Sequence, residues 1–180
     1  MKLNAANRLT SQPLTDSISD KNGLYHCKMY YWNHLSNSKG LGTKGGISLS
    51  YCVANDEPTF LLSTSGSVIG YLTLAKSTYG IPGVKFSINS AFLNPQYRGR
   101  KLGTVMYLGA LHVLKHMASD AVLSKNAIHS WRSLLKYGYK VKLWNNTTGK
   151  PQPFVWGDEM PVVGGLPISA IIREEFVLYI

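Results

Sequence analysis

Phe92-Leu93-Asn94-Pro95-Gln96-Tyr97-Arg98-Gly99-Arg100-Lys101-Leu102-Gly103, followed by Thr104 to Leu114, is the stretch that decides the fold. A strand-like run ends in a short turn with two glycines and three cationic side chains, and a strongly apolar helical segment leaves it. A helix N-terminus presents unpaired N–H groups and a partial positive charge, so a turn feeding one is a natural phosphate cradle. Gly99 and Gly103 let the backbone approach an anion closely, while Arg98, Arg100 and Lys101 add charge. Val105, Met106, Leu108, Leu111, Val113 and Leu114 make the helix apolar nearly all round, which predicts burial against a sheet.

Working upstream, Val84 to Leu93 reads as a strand after the turn Gly80-Ile81-Pro82-Gly83. Phe60 to Ser63 and Ser67 to Ala75 read as a hairpin joined through Thr64-Ser65-Gly66. Ile47 to Val53 alternates like a strand, and Leu24 to Trp32 is aromatic and strand-like. Downstream the pattern predicts a helix from about Leu102 to Met117, a strand at Ala121 to Leu123 and a helix from about Asn126 to Tyr137. Strands at Tyr139 to Trp144 and Glu175 to Ile180 follow. Mostly antiparallel strands thus precede an alternating half. Residues 1–22 are polar and read as an arm, and 23–180 as a single domain, a size that buries a substantial core.

Gly40-Leu41-Gly42-Thr43-Lys44-Gly45 is a literal G-x-G-x-x-G inside a Gly/Ser-rich loop from Ser36 to Gly46. The dinucleotide fingerprint needs a helix directly after it, and a strand-like run follows instead, so it reads as a flexible turn. Cys27 and Cys52 make no disulfide framework and read as buried thiols. A Cys27-His26 nucleophile is disfavoured, because neighbours along a strand point to opposite faces. His112 and His116 stand four apart on the apolar helix, but no Cys or acid lies near them in sequence, so no metal site is assigned.

The formal net charge of +10 is unevenly spread: Lys76 to Lys150 holds twelve Lys or Arg against one acid, Asp120. Such a segment attracts polyanions, whether a nucleotide cofactor or a nucleic acid. No run approaches the roughly 18 apolar residues of a membrane span, and Met1 to Arg8 lacks the apolar centre of a signal peptide. The expectation is a soluble cytoplasmic protein with no membrane partner.

The turn resembles the acyl-CoA pyrophosphate loop of the GNAT superfamily of N-acyltransferases, whose usual form is Arg or Gln, two residues, Gly, one residue, Gly or Ala. Asn126 to Tyr139, with Trp131, Leu134, Leu135 and Gly138-Tyr139, is similar to the family's next helix and closing Gly-aromatic. Together these cover about residues 60–144. The resemblance implies an α/β fold of mixed α+β type: a splayed mixed β-sheet flanked by helices, opening where CoA lies. It also implies acetyl-CoA or another acyl-CoA as cofactor, bound by Leu93, Arg98, Gly99, Arg100, Lys101, Leu102, Gly103, Thr104 and Asn126.

Catalysis implied by the resemblance is direct attack of an amine on the thioester. The backbone N–H near Leu93 would polarise the carbonyl as a β-bulge donor does in the family, needing no particular side chain. Three departures stand out. Lys101 occupies the first motif Gly, Leu134 occupies a position often held by a Tyr that protonates the thiolate, and Lys85 to Ala91 contains no Glu to act as base. Tyr137 and Tyr139, flanking Gly138, are candidate proton donors that also suit packing. Asp56, Glu57 or His129 can enter the site from elsewhere in the fold. A strand without a carboxylate fits an amine of low pKa, about 7.7 to 8.0 for an α-amine against about 10.4 for lysine. Joined to the basic segment, it points to a nucleic-acid-linked acceptor. Trp131 and Arg132 could contact such a polymer, although Trp131 also suits the core. Two alternatives stay open: a GNAT-like binding or structural protein without catalysis, and a basic nucleic-acid-binding module without CoA.

Overall fold

The computed structural model of the chain describes residues 16–54, 56–121, 123–158, 160–168 and 175–180. Residues 1–15 of the expected arm lie outside these. The first described element is helix α1 (Asp16–His26), continued by a π-helical turn (Cys27–Tyr31) and α2 (Trp32–Leu35). The arm boundary expected at residue 22 thus falls within α1.

The strand expected over Leu24 to Trp32 is helical. Its aromatic composition favours a strand, but Leu24, Cys27, Tyr31 and Leu35 are spaced three, four and four apart, and this stripe packs on the sheet. Helical spacing prevails because one helix face has a sheet to cover.

Five antiparallel strands follow in spatial and sequence order: β1 (Lys39–Lys44), β2 (Ile47–Ala54), β3 (Glu57–Thr64), β4 (Ser67–Lys76) and β5 (Phe86–Leu93). The glycine-rich segment expected as a flexible turn is therefore edge strand β1. It pairs with β2, and Leu41 is bulged from the register. In the predicted β3–β4 hairpin, Ser65 and Gly66 both adopt left-handed backbone, φ 48° and 74°, the form that matches strand twist in a two-residue turn.

After β5 come a 3-10 turn (Pro95–Tyr97), α3 (Leu102–Leu114) and α4 (Lys125–Leu135). Strands β6 (Lys142–Asn145), β7 (Lys150–Gln152), β8 (Val155–Trp156), β9 (Pro161–Val163), β10 (Leu166–Pro167) and β11 (Phe176–Tyr179) complete the chain. Two three-stranded groups form, β11-β6-β7 and β10-β9-β8.

The link between the sheet halves is the segment around Ala118, parallel to β5 at Ser87 and antiparallel to β11 at Tyr179. This explains two differences from the sequence reading. Helix α3 stops at Leu114 because Met117, Ala118 and Ser119 spend their backbone groups on Ile180, on Phe86 and Ile88, and on Leu178. The strand expected at Ala121 to Leu123 is replaced by this earlier pairing; Val122 lies outside the described residues.

The larger core lies between the sheet and α3–α4, around Phe60, Leu62, Leu72, Leu74, Met106, Leu111, Trp131 and Leu134. A second lies under α1 and the π turn, around Cys27, Tyr31, Cys52, Leu61, Tyr71 and Phe92, and a third around Ile81, Ala118, Trp144 and Val177. Because β3 and β4 are covered on both faces, Phe60, Leu61 and Leu62 are buried in succession.

Candidate active site

Strand β5 carries the site because it is paired along its length on one side and only at its start on the other. The Ile88 amide donates to the Ala118 carbonyl (2.9 Å) and the Ala118 amide to the Phe86 carbonyl (3.0 Å). One residue on, the Ser119 amide has turned to the Leu178 carbonyl (2.7 Å). From Asn89 onward, no strand among the described residues lies on this edge, and Ser90 and Ala91 are exposed. Two parallel segments that meet at one end and part at the other leave a wedge-shaped opening.

The backbone groups facing that opening follow from the ladder. The Asn94 amide donates to the Ile69 carbonyl at 2.8 Å. Backbone direction alternates along an antiparallel strand, so Leu93 and Ala91 turn their N–H and C=O groups away from β4. The Leu93 carbonyl on that edge accepts Arg98 Nε at 3.0 Å. The register of β5 against β4 slips between Thr73 and Leu74, leaving Asn89 as the extra residue of a β-bulge. The bulge expected near Leu93 thus sits four residues earlier.

The basic turn closes the wide end. Asn94 caps the 3-10 turn through the Gln96 amide (3.1 Å), and Gly99 takes φ 77°. Lys101, the N-cap of α3, is also left-handed at φ 60° and has no side-chain cap bond. The residue standing where the family has glycine therefore sits in a conformation that glycine adopts freely. The first amides of α3 lack intrahelical acceptors, and exposed Arg100 and Lys101 flank them. Gly103 has a second reason to be small: a Cβ there would stand 3.2 Å from Ser130 Oγ on α4. Asn126, one helical turn before Ser130 on α4, is exposed, and its carbonyl accepts Ser130 Oγ at 3.2 Å. Leu102 is half-buried and Thr104 buried, both in the first turn of α3.

Arg98 is committed elsewhere. Its guanidinium forms an ion pair with Asp20 of α1, so it ties α1 to the end of β5. Arg100 lies over the Tyr97 ring, 5.5 Å from its centroid, and unlike Arg98 forms no ion pair among the described residues.

The proton-transfer candidates from the sequence flank Gly138 after α4. Tyr137 is exposed, just past the end of α4, and Tyr139 packs against the larger core. Trp131 is fully buried, edge-on to Tyr107, so it cannot stack on a polymer. His129 is exposed on α4. His112 and His116 do not share a helix face, because α3 ends between them, and His116 Nδ1 lies 3.2 Å from the Ile180 carbonyl. Cys27 is buried on the π turn, and burial pushes its thiol up to about 12, far from a reactive thiolate.

Sequence reasoning named Glu57 as a group that can enter from elsewhere in the fold, but not the polar cluster it joins on the α1 side of β5. Asn89 Nδ2 donates to both Glu57 oxygens, at 3.2 Å each. Tyr31 hydrogen-bonds to Thr73 beside them, and its hydroxyl pKa is raised by burial first, then by Tyr71, Tyr30 and Glu57. The signal lay in period-two spacing: Glu57 and Thr59 share a face of β3, and Thr59 pairs with Thr73, which pairs with Ser90.

Among solved structures, the chain is similar to a Bacillus subtilis acetyltransferase in complex with CoA: 12% identity, TM-score 0.42, covering 94% of each chain. It is also similar to a Paenibacillus lautus diaminobutyrate acetyltransferase in complex with L-2,4-diaminobutyric acid and coenzyme A: 11% identity, TM-score 0.39, 67% of this chain and 68% of that one. A third is an IAA acetyltransferase from Bacillus cereus: 10% identity, TM-score 0.36, 88% of each chain. All three are acetyltransferases. No protein-family model and no curated protein sequence matches the chain.

Proposed function

We propose that the chain is an acyl-CoA-dependent N-acyltransferase of the GNAT superfamily, transferring an acetyl or other acyl group to an amine. The observation that carries this reading is the wedge itself. Strand β5 parts from the Ala118 segment after Ile88 and runs into a basic turn at the uncapped N-terminus of α3. An elongated thioester with an anionic end fits that opening: diphosphate on the amides of Leu102 to Thr104 with Arg100 and Lys101, and the acyl end along β5. The edge amides of β5 supply donors for the carbonyl oxygen.

A nucleic-acid-linked acceptor is favoured by one observation, the exposed cations Lys136, Lys140 and Lys142 after α4. Its other ground, a strand without a carboxylate, is weaker now that Glu57 reaches β5 from β3.

Calorimetric titration with CoA tests the reading. Wild type and Lys44→Ala should bind alike, and Arg100→Glu should bind more weakly. Absence of binding at millimolar CoA, or equal loss in both variants, would sink it. Adding total RNA at low and high salt to the same preparations tests the acceptor class, since neutralised phosphates release counterions and binding falls with salt.

A further inference from the structure

Glu57 differs from other described carboxylates in the strand it reaches. Asp20 is paired to Arg98, Asp120 Oδ1 accepts the Ala121 amide, and Glu175 accepts Asn145 Nδ2. Glu57 instead reaches across the sheet to the bulged residue of the strand whose far edge is open. It is half-buried, and among the described residues no Lys, Arg or His forms an ion pair with it. Tyr31 is the titratable neighbour from the π turn, and Asp56 adjoins it in its own turn. Asn89 Nδ2 lies 3.2 Å from each oxygen, so one amide orients the carboxylate and leaves it acceptor capacity for a substrate proton. A bulge re-aims side chains and ends regular pairing, and such features cluster beside active sites.

We propose that Glu57 is the general base of the transfer, with Asn89 as its positioning residue, acting on amines that are mostly protonated at neutral pH. This rests on the N-acyltransferase reading. The ammonium of the acceptor meets the Glu57 carboxylate and gives up a proton to solvent through it. The nitrogen lone pair then forms the new C–N bond to the acyl carbon as the C–S bond breaks. CoA leaves as thiolate, and Glu57 takes the second proton from the attacking nitrogen. That proton passes through solvent to the thiolate, so amine and acyl-CoA become amide and CoA thiol. A strand-borne acid is unnecessary because β3 supplies one across β4.

The test measures CoA thiol release from acetyl-CoA with water alone, spermidine or lysinamide, alongside CoA binding and thermal melting. Glu57→Gln keeps an acceptor for Asn89 and removes the charge. It should cut turnover at about pH 7 by about 10²- to 10⁴-fold, with CoA affinity and melting temperature unchanged. With lysinamide the deficit should shrink toward about pH 10, where an amine of pKa about 10.4 is partly neutral unaided. Asn89→Ala should lower kcat while leaving the KM for acetyl-CoA in place, and Asn89→Gln should recover part of the loss. Wild-type turnover in Glu57→Gln, a deficit unchanged at alkaline pH, or no thiol release by a CoA-binding wild type with any probe overturns the base assignment alone. A wild type that binds no CoA overturns the functional reading on which it rests.

Discussion

Replacing Gly23 with alanine sets local propensity against packing. Gly23 lies within α1, where alanine is favoured over glycine by about 0.8–1.0 kcal/mol. A Cβ at this position would fall 2.1, 2.3 and 2.4 Å from Cδ2, Cε2 and Cγ of Phe92. Carbon atoms attract at about 3.5–4.0 Å, so all three contacts are repulsive. The Phe92 ring is buried and packs at 5.8 Å on Tyr71, which leaves it little room to withdraw. Overpacking of this kind costs about 1–3 kcal/mol, and three close ring atoms place it toward the upper end. The net expectation is destabilisation of about 1–2 kcal/mol, or a fall of roughly 2–8 °C in Tm for a chain of this length. Lifting α1 also strains the Asp20–Arg98 pair, which adds to the loss of stability. Thermal melting by circular dichroism measures the effect, and Gly23→Ala combined with Phe92→Leu should recover at least about 0.5 kcal/mol through coupling. A single variant that melts at or above wild type would refute the reasoning and show that helix propensity governs the site.

Lys101→Gly removes the cost of a left-handed L-residue, about 1–2 kcal/mol, less the extra freedom glycine has when unfolded, about 0.5–1 kcal/mol. Lys101→Gly should therefore melt above Lys101→Ala, which keeps the strain; equal melting temperatures would contradict this account of φ 60°. Burial pushes the Cys27 thiol from 9.0 up to about 12. Between those values the unfolded chain sheds a proton that the native chain keeps, so stability falls as pH rises through this window. Urea midpoints at about pH 8 and about pH 10 should show a steeper fall for wild type than for Cys27→Ala, and parallel slopes would count against burial as the cause.

Much of the fold was legible locally. The turn from Asn94 to Lys101 and the apolar run after it announced strand, loop and buried helix, because glycine, proline and helical periodicity act on their immediate neighbours. The β3–β4 hairpin was legible for the same reason: Ser65-Gly66 takes the left-handed turn its composition favours. Leu24 to Trp32 was misread because composition and spacing disagreed, and only a sheet beneath the Leu24, Cys27, Tyr31 and Leu35 stripe settles the contest.

Pairing between distant segments lay beyond the reach of sequence alone. Nothing near Leu114 marks the end of α3; it ends because the Ala118 segment is drawn between β5 and β11. Nothing on Lys85 to Ala91 marks a base, because the carboxylate meeting that strand arrives from Glu57, 32 residues earlier, through a register slip that displaces Asn89. Arg98 illustrates the same division. Its charge and place in the turn were plain from the sequence, but its partner Asp20 lies 78 residues away on a helix that docks through shape. Local chemistry determined which groups can bind a phosphate, and long-range packing decided which of them are paired elsewhere and which carboxylate reaches strand β5.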